Sequence, residues 1–206
     1  MSKLPYAPVY SMNMVLQPPS PKAVFLDASD GRYRLRTAKV EDATAEIASW
    51  MSDPVVVTGL NGTGKAMSVD QLRSYISGFD NVRKNLAIIC TVADNRPIGF
   101  LMFDVEPRHR IGSFHILIGS RKDRIGEASY VAIRLALRHM FEVRGVEKVS
   151  IEPLSRNRAV VQYCEWLGFR LEGVLKSHRV SSTSNERLDQ HVFGMTKSEY
   201  LAWLRA

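Results

Sequence analysis

Three apolar runs that follow one another closely constrain the fold of this chain more than any other feature. They cover residues 86–92, 98–105 and 111–118. The turn-forming segment 93–97 joins the first two runs and predicts a β-hairpin. Pro107 breaks the chain after the second run, and the third run is expected to continue an antiparallel meander. The centre of the chain is therefore predicted to be a sheet of consecutive strands.

The C-terminal half alternates helices and strands. Residues 127–143 have the pattern of an amphipathic helix, whose polar stripe consists of Tyr130, Arg134, Arg138 and Glu142. A strand is predicted at 146–151, and then a helix at 157–167 that Gly168 closes in a left-handed cap. The segment 188–206 is expected to contain a last strand and a short helix.

The N-terminal half supplies further helices. A strand is predicted at 33–36, a helix over 40–51, and a second helix that begins at Ser68. Helices, a meander and then an alternation of strands and helices are typical of an α+β fold with a parallel step near the C-terminus.

The chain is expected to form one domain. A domain of 206 residues buries roughly 70% of its unfolded surface, which is ample for a core. Five of the nine prolines fall within residues 1–21. We therefore interpret 1–30 as a Pro-rich arm, in which 24–27 could add a short strand, and 31–206 as the domain.

Composition excludes several classes of protein. The chain has no run near the roughly 18 apolar residues that a membrane helix needs, and its N-terminus lacks the apolar core of a signal peptide. Its two cysteines, Cys90 and Cys164, are too few for a disulfide scaffold and lack metal-ligand spacing. We expect a cytoplasmic protein without a membrane span or a metal.

The net charge of +7 suggests an anionic partner. Between Arg108 and Arg144 there are eight Lys or Arg residues and three acids. A nucleic acid, a phosphate-bearing cofactor, an acidic substrate or an ordinary solvated surface would each fit this excess. A nucleic acid is not expected, because the stretch lacks interleaved exposed aromatic residues.

The segment 116–129 is the most informative one. A strand leads into a short basic loop, which leads into the N-terminus of a helix. The free backbone N–H groups and the dipole of such a helix attract anions. Arg121, Lys122 and Arg124 add positive charge, and Gly126 would let the backbone approach a ligand closely. An ordinary basic surface loop is the alternative.

The loop resembles the pyrophosphate loop of the GNAT superfamily of acyltransferases, R/Q-x-x-G-x-G/A. Arg121 stands at the first position and Gly126 at the last, while Arg124 replaces the middle glycine. The stretch from Asn157 to Gly168-Phe169 is also similar to the stretch of that superfamily that runs from an asparagine to a Gly-Phe pair, and the likeness covers about residues 31–200. It is greatest to the RimJ/RimL-like branch.

The resemblance implies a GNAT-type fold. In such a fold, a mixed central sheet with an antiparallel meander and a parallel, splayed step is flanked by helices. It also implies that acetyl-CoA is the co-substrate and that the acetyl group passes to a primary amine, either a protein N-terminus or a small-molecule amine, by direct attack in a ternary complex. No metal is needed, and a monomer or a homodimer is expected.

The resemblance also assigns residues to the cofactor. The strand backbone and the loop would hold pantetheine and pyrophosphate, and an asparagine on the next helix would reach the cofactor. These residues are Ile116, Leu117, Ile118, Arg121, Lys122, Arg124, Ile125, Gly126, Glu127 and Asn157.

The catalytic acid and base are less clear. Many family members carry a tyrosine that protonates the leaving sulfur, and its position here is Cys164, with Tyr163 beside it. A thiolate is a fair leaving group at neutral pH, so a packing role for Cys164 is favoured over a catalytic one. His115 and Glu152 are candidate bases, although either could be a plain strand residue and a water chain could carry the proton.

A second glycine-rich segment, 59–66, nearly spells the nucleotide phosphate loop G-x(4)-G-K-[S/T]. Ala66 stands where the magnesium-binding hydroxyl would be, so we interpret the segment as a loop between the two N-terminal helices. Residues 52–67 and 175–187 are expected to shape the acceptor pocket. A catalytically silent acyl-CoA-binding module is the main alternative to an enzyme.

Overall fold

The computed structural model of the chain describes residues 22–124 and 126–205. Its strands are β1 (Asp27–Asp30), β2 (Tyr33–Thr37), β3 (Lys84–Thr91), β4 (Pro97–Glu106), β5 (Ile111–Ile118), β6 (Lys148–Ile151), β7 (Arg170–Val180) and β8 (Arg187–Thr196). Within the described residues they form one sheet in the order β1-β2-β3-β4-β5-β6-β8-β7.

The helices pack on this sheet. They are α1 (Ala45–Trp50), α2 (Pro54–Leu60), α3 (Val69–Ser77), α4 (Ala128–Arg138), α5 (Arg158–Trp166) and α6 (Lys197–Trp203). A π-helical turn, His139–Val143, continues α4. None of the helices in the described ranges is long and apolar enough to cross a membrane.

One pair of strands differs from the rest of the sheet. β5 and β6 are parallel, with Ile111 opposite Lys148 and Ser113 opposite Ser150, whereas the other neighbouring pairs are antiparallel. Beyond Ser113, β5 continues beside β4 as far as Ile118, but β6 ends at Ile151. The α+β fold predicted from the sequence, with its meander and its splayed parallel step, is confirmed.

The central strands are apolar on both faces because helices cover both faces. Along β3, Leu86, Ile88 and Cys90 pack with the apolar residues of α1 and α3. Ala87 and Ile89 alternate with them and belong to the cluster that contains the apolar stripe of α4. The sheet is therefore the middle layer of the molecule, and α4 lies across the face opposite α1 and α3.

The first strand begins later than the sequence suggested. The strand lies at Asp27–Asp30 and pairs with β2, whereas the apolar residues had predicted 24–27. The sheet thus includes the last residues of the range 1–30 that we assigned to the arm. Residues 1–21, which hold most of its prolines, lie outside the described residues.

The continuous helix predicted over 40–51 is wrong. The structure has a short 3₁₀ turn at Val40–Asp42 and then α1. An ion pair of 2.7 Å between the largely buried Arg36 and Asp42 holds the first turn against β2. Thr44 is extended and caps the N-terminus of α1 with its hydroxyl, so the helix starts afresh there.

The sequence interpretation also missed two elements, α2 and β7. The local start signal of α2 was present, since Asp53 caps it and Pro54 occupies its first turn. Three consecutive valines and the glycines after them hid that signal. β7 lies at the edge of the sheet and most of its residues are exposed, so it lacks the alternation of apolar and polar residues that identifies a half-buried strand.

Candidate functional site

The divergence of β5 and β6 opens a cavity of about 730 Å³. Residues 114–118 of β5 line one side, and residues 151–154 at the end of β6 line the other. Helices α2 and α5 and the start of α4 contribute further walls. The cavity therefore lies where the parallel pairing of the sheet stops.

The backbone explains why the two strands separate. The Pro153 carbonyl accepts a hydrogen bond of 2.9 Å from His191 N–H, and Leu154 forms a bridge with Gln190. These contacts draw the chain after β6 towards β8. The edge of β5 that faces the cavity thus has no strand partner beyond Ser113 within the described residues. The N–H and C=O groups of residues 114–117 that point away from β4 are therefore available to a ligand.

The loop after β5 has the shape expected of an anion site. Gly126 has a φ of +136°, and a Cβ added there would meet nothing within 4 Å. The helix α4 starts two residues later, and Glu127 at its N-cap makes no capping hydrogen bond. Its carboxylate instead pairs with Arg32 at 2.8 Å. Free N–H groups in the first turn of α4 and an open space above Gly126 therefore adjoin one another.

The two arginines of the loop both contact Asp53, the N-cap of α2. Arg124 lies 3.0 Å from one carboxylate oxygen, and Arg121 lies 3.1 Å from the other. Hydrogen bonding to Arg124 is the main reason why the pKa of Asp53 falls to about 2. The Asp53 side chain is only 9% exposed, so this ion pair fastens the loop to α2.

Arg124 is turned towards the protein. Its guanidinium donates to the carbonyls of Ile118 and Gly119 at 3.0 and 3.1 Å, in addition to its contact with Asp53. Lys122 is exposed and forms no ion pair within the described residues. Arg124, which replaces the middle glycine of the family loop, therefore stabilises the loop from the side that faces the protein.

Gly119 lets the backbone at the end of β5 lie close to the side chain of Trp50. A Cβ at this position would lie 2.0 Å from the indole of Trp50. The indole itself is 4% exposed and packs edge-on against Phe100 with ring centroids 5.5 Å apart. The end of α1 thus rests directly on the backbone that begins the loop.

Asn157 stands between two walls of the cavity. Its side-chain oxygen accepts from the Val160 N–H at 3.4 Å and caps α5, as the sequence predicted. Its Nδ2 lies 3.7 Å from the position that a Cβ on Gly59 would take. The amide therefore fills the gap between the start of α5 and the end of α2.

The helix α5 places two candidate groups on the cavity wall, Tyr163 and Cys164. Cys164 is 3% exposed, and burial raises the pKa of its thiol to about 12. The hydroxyl of Tyr163 lies 3.4 Å from Ser129 Oγ in the first turn of α4, and burial raises its pKa as well. Sequence spacing pointed to Cys164, whereas the side chain with a hydroxyl towards the loop helix is Tyr163.

The two candidate bases lie on opposite sides of the strand gap. His115 comes from β5 and Glu152 follows β6, and both are exposed and line the cavity. The backbone carbonyl of Glu152 accepts a hydrogen bond of 2.8 Å from Gln190 Nε2. Glu106, at the end of β4, lies opposite Ile111 at the other end of β5 and does not line the cavity.

The glycine-rich segment that resembled a nucleotide loop has another structure. A helix, α2, precedes it instead of a strand, and Val55, Val56 and Leu60 of that helix line the cavity. Asn61 then ends α2 in a left-handed conformation with φ +54°. The segment is therefore a helix end beside the cavity, and a phosphate loop after a strand is excluded for these residues.

Asn61 also joins α2 to the hairpin formed by β7 and β8. Its Nδ2 donates to the Val180 carbonyl at 2.9 Å, and its Oδ1 accepts from the Ser182 N–H at 2.9 Å. The segments 52–67 and 175–187, which we expected to shape one pocket, thus meet at the same end of the cavity. The structure places Arg179 of this hairpin on the cavity lining.

Comparison with known proteins agrees with this geometry. A family model described as an acetyltransferase (GNAT) domain matches residues 39–176. A comparison with curated proteins gives no match.

Several solved structures have the same fold. A GCN5-related N-acetyltransferase from Brucella melitensis superposes with a TM-score of 0.75 at 18% identity, over 90% of this chain and 85% of that one. A spermidine N-acetyltransferase from Vibrio cholerae, solved with CoA and spermine, gives 0.73 at 20% identity, over 84% and 99%. A ribosomal-protein-S5-alanine acetyltransferase from Vibrio fischeri gives 0.71 at 12% identity, over 84% and 97%.

These structures share the fold, and the family model spans more than half of the sequence. It includes the strand gap, the basic loop and the start of α5. The chain is an acetyltransferase of the GNAT family.

Proposed function

We propose that this enzyme transfers an acetyl group from acetyl-CoA to a primary amine by direct attack in a ternary complex, as in the RimJ/RimL-like branch. One observation supports this proposal above the others. A single cavity connects the uncapped start of α4, the free edge of β5 and the end of α2. It could admit a thioester from one end and an amine from the other.

The loop end of the cavity suits a pyrophosphate. Free N–H groups at the start of α4 and the open space above Gly126 would accept its oxygens. Arg121 and Lys122, both exposed, would add charge. Arg124 would act on the cofactor indirectly, since it holds the loop to Asp53. Ile125 lies outside the described residues, and its contact with the cofactor remains a prediction.

The edge of β5 suits the pantetheine arm. Backbone groups of Ile116, Leu117 and Ile118 line the cavity without a strand partner on that side in the described part of the chain. They could bind the amides of the arm as an added strand would. An N–H group of this edge could also stabilise the negative charge that develops on the thioester oxygen.

The chemistry then needs few side chains. The neutral amine attacks the acetyl carbon, a new C–N bond forms, and the C–S bond breaks. The nitrogen loses one proton to His115 or Glu152, directly or through water, and the CoA thiolate leaves and takes up one proton. Tyr163 is better placed to give that proton than Cys164, because its hydroxyl faces the first turn of α4.

Acetyl transfer is tested by mixing the protein with acetyl-CoA and a panel of amines, and by measuring both free thiol and acetylated product. We expect product with at least one primary amine, at the same rate as thiol release. Tight binding of acetyl-CoA without transfer to any amine would instead indicate a catalytically silent acyl-CoA-binding module.

Cys164→Ala should lower kcat by less than tenfold. A buried thiol with a pKa of about 12 is a poor proton donor at neutral pH, and the CoA thiolate needs little protonation there. Steady-state kinetics on Cys164→Ala measures the effect. Cys90→Ala is the matched control, since Cys90 is equally buried but lies in β3 away from the cavity. A fall of 100-fold, with normal folding and acetyl-CoA affinity, would make Cys164 a catalytic residue.

Asn157→Asp should separate capping from cofactor positioning. Aspartate keeps the oxygen that caps α5 but removes the amide donor that faces α2. We expect the melting temperature to change by only a few degrees and kcat/KM for acetyl-CoA to fall at least fivefold.

Ser68→Asp is the control for that substitution. Ser68 caps α3 in the same way and does not line the cavity. The Ser68→Asp protein should therefore keep both the melting temperature and the kcat/KM of the wild type. If Asn157→Asp loses stability and rate together, or loses neither, Asn157 is a structural cap alone.

A further inference from the structure

The charges at the acceptor end of the cavity are unbalanced. Among the described residues that line the cavity, one side chain is acidic, that of Glu152, whereas Arg124 and Arg179 are both cationic. Arg124 lies at the loop end and is neutralised by Asp53 at 3.0 Å. Arg179 has no carboxylate within 4 Å in the described ranges. The guanidinium group of Arg179, an exposed residue that lines a largely apolar cavity, thus has no anionic partner within the described residues.

A buried glutamine holds Arg179 in place. Gln190 is 6% exposed, and its Oε1 accepts from Arg179 Nε at 3.0 Å. The Nε2 group of the same Gln190 amide donates a hydrogen bond of 2.8 Å to the Glu152 carbonyl. Gln190 therefore fixes Arg179 relative to the end of β6, where the candidate base Glu152 lies. The two Nη groups of Arg179 make no hydrogen bond within the residues described.

A second arginine increases the positive charge at this end. Arg156 donates to the Thr58 carbonyl and to the Asn61 side chain at 3.3 and 3.2 Å, and to Ser181 Oγ at 3.3 Å. All three acceptors are neutral oxygens. Arg156 thus ties α2 to the hairpin without being neutralised itself.

We propose that the amine acceptor carries a carboxylate, which Arg179 binds through its two Nη groups while the amine lies near Glu152 and His115. This inference rests on the proposed acetyl transfer and adds the class of acceptor. A planar guanidinium matches a carboxylate in a two-point contact.

The same charges disfavour a polyamine. An acceptor with several ammonium groups needs several carboxylates around it, and the described lining provides Glu152 alone. Arg179 would repel the second ammonium group. The acceptor is therefore an amino acid or a compound built like one, with an amine at one end and a carboxylate at the other.

The test compares each acceptor with its carboxamide. Amino acids with different distances between amine and carboxylate, their carboxamides, short peptides with a free or an amidated C-terminus, and spermidine are assayed with acetyl-CoA for product and free thiol. We expect at least one free amino acid to have a kcat/KM tenfold or more above that of its carboxamide. Free peptides should fall below it, since α2 and the hairpin meet at this end of the cavity and limit the room for a longer acceptor.

Arg179→Gln provides the decisive comparison. It should lower kcat/KM for the free acid at least tenfold and leave that of the carboxamide within twofold, with an unchanged melting temperature. Arg187→Gln is the matched control, because Arg187 lies on the same hairpin, donates to the Ser177 carbonyl at 3.2 Å and does not line the cavity. Arg187→Gln should leave kcat/KM unchanged for both the free acid and the carboxamide.

Three results would overturn the inference. The first is equal use of acids and carboxamides, the second is a preference for spermidine or for peptides, and the third is an equal loss of both substrates in Arg179→Gln. Each of them leaves acetyl transfer itself standing. If no amine in the panel is acetylated although acetyl-CoA binds, the proposed function fails, and the acceptor class fails with it.

Discussion

Gly126→Val is expected to weaken acetyl-CoA binding about 100-fold. The open space above Gly126 is where the proposed pyrophosphate would approach, and a valine side chain would fill it. Loss of two charge-assisted hydrogen bonds, at about 1.5 kcal/mol each or more, corresponds to that factor. Calorimetry with acetyl-CoA measures the change directly.

Backbone strain needs a separate control, because Gly126 has a φ of +136° that valine adopts poorly. Gly31 also has a positive φ, +57°, with nothing within 4 Å of its Cβ position, and it lies in the turn between β1 and β2. Gly31→Val should lose stability, by about 1–2 kcal/mol, but keep its affinity for acetyl-CoA. If Gly126→Val binds acetyl-CoA as the wild type does, the proposed pyrophosphate site is wrong.

Gly119→Ala should destabilise the protein by about 1–3 kcal/mol, as overpacking of a well-packed core does. The added methyl group would stand 2.0 Å from the Trp50 ring, and the ring cannot move freely because it is buried against Phe100. Urea unfolding measures the loss. The rate should also fall, since the same backbone begins the cofactor loop and Arg124 donates to the Gly119 carbonyl.

Gly173→Ala is the control for that effect. Gly173 lies in β7, and a Cβ there would meet nothing within 4 Å, so alanine should be tolerated. A Gly119→Ala protein as stable as the wild type would show that the contact between α1 and the end of β5 yields easily.

Asp53 links the loop after β5 to α2. It caps α2 and pairs with both loop arginines, so the helix beside the proposed acceptor site and the loop at the proposed cofactor site share one carboxylate. Its low pKa means that its contribution to stability is fully present above the unfolded value of 3.8 and is lost as the pH falls through about 2. The link therefore holds throughout the neutral range.

Local signals in the sequence were enough for most of the framework. Apolar runs separated by turn residues identified β3, β4 and β5, and Ser68, Asn157 and Gly168 marked helix ends through their own side chains or backbone preferences. The loop at 121–126 was recognised in the same way, because its features lie within a few residues of one another. A short-range pattern predicts what short-range forces decide.

The roles of individual side chains depended on segments that are distant in the sequence. Arg124 was expected to face the phosphates, but Asp53 and two strand carbonyls draw it inwards. No sequence pattern singled out Arg179, which Gln190 links to the Glu152 carbonyl at the end of β6. No local pattern encodes such contacts, because an ion pair or a cavity wall forms only when the fold brings its members together. The sequence alone thus determined the central strands, the basic loop and the resemblance to the family, and the tertiary structure decided which charged side chains pair with one another and which line the cavity.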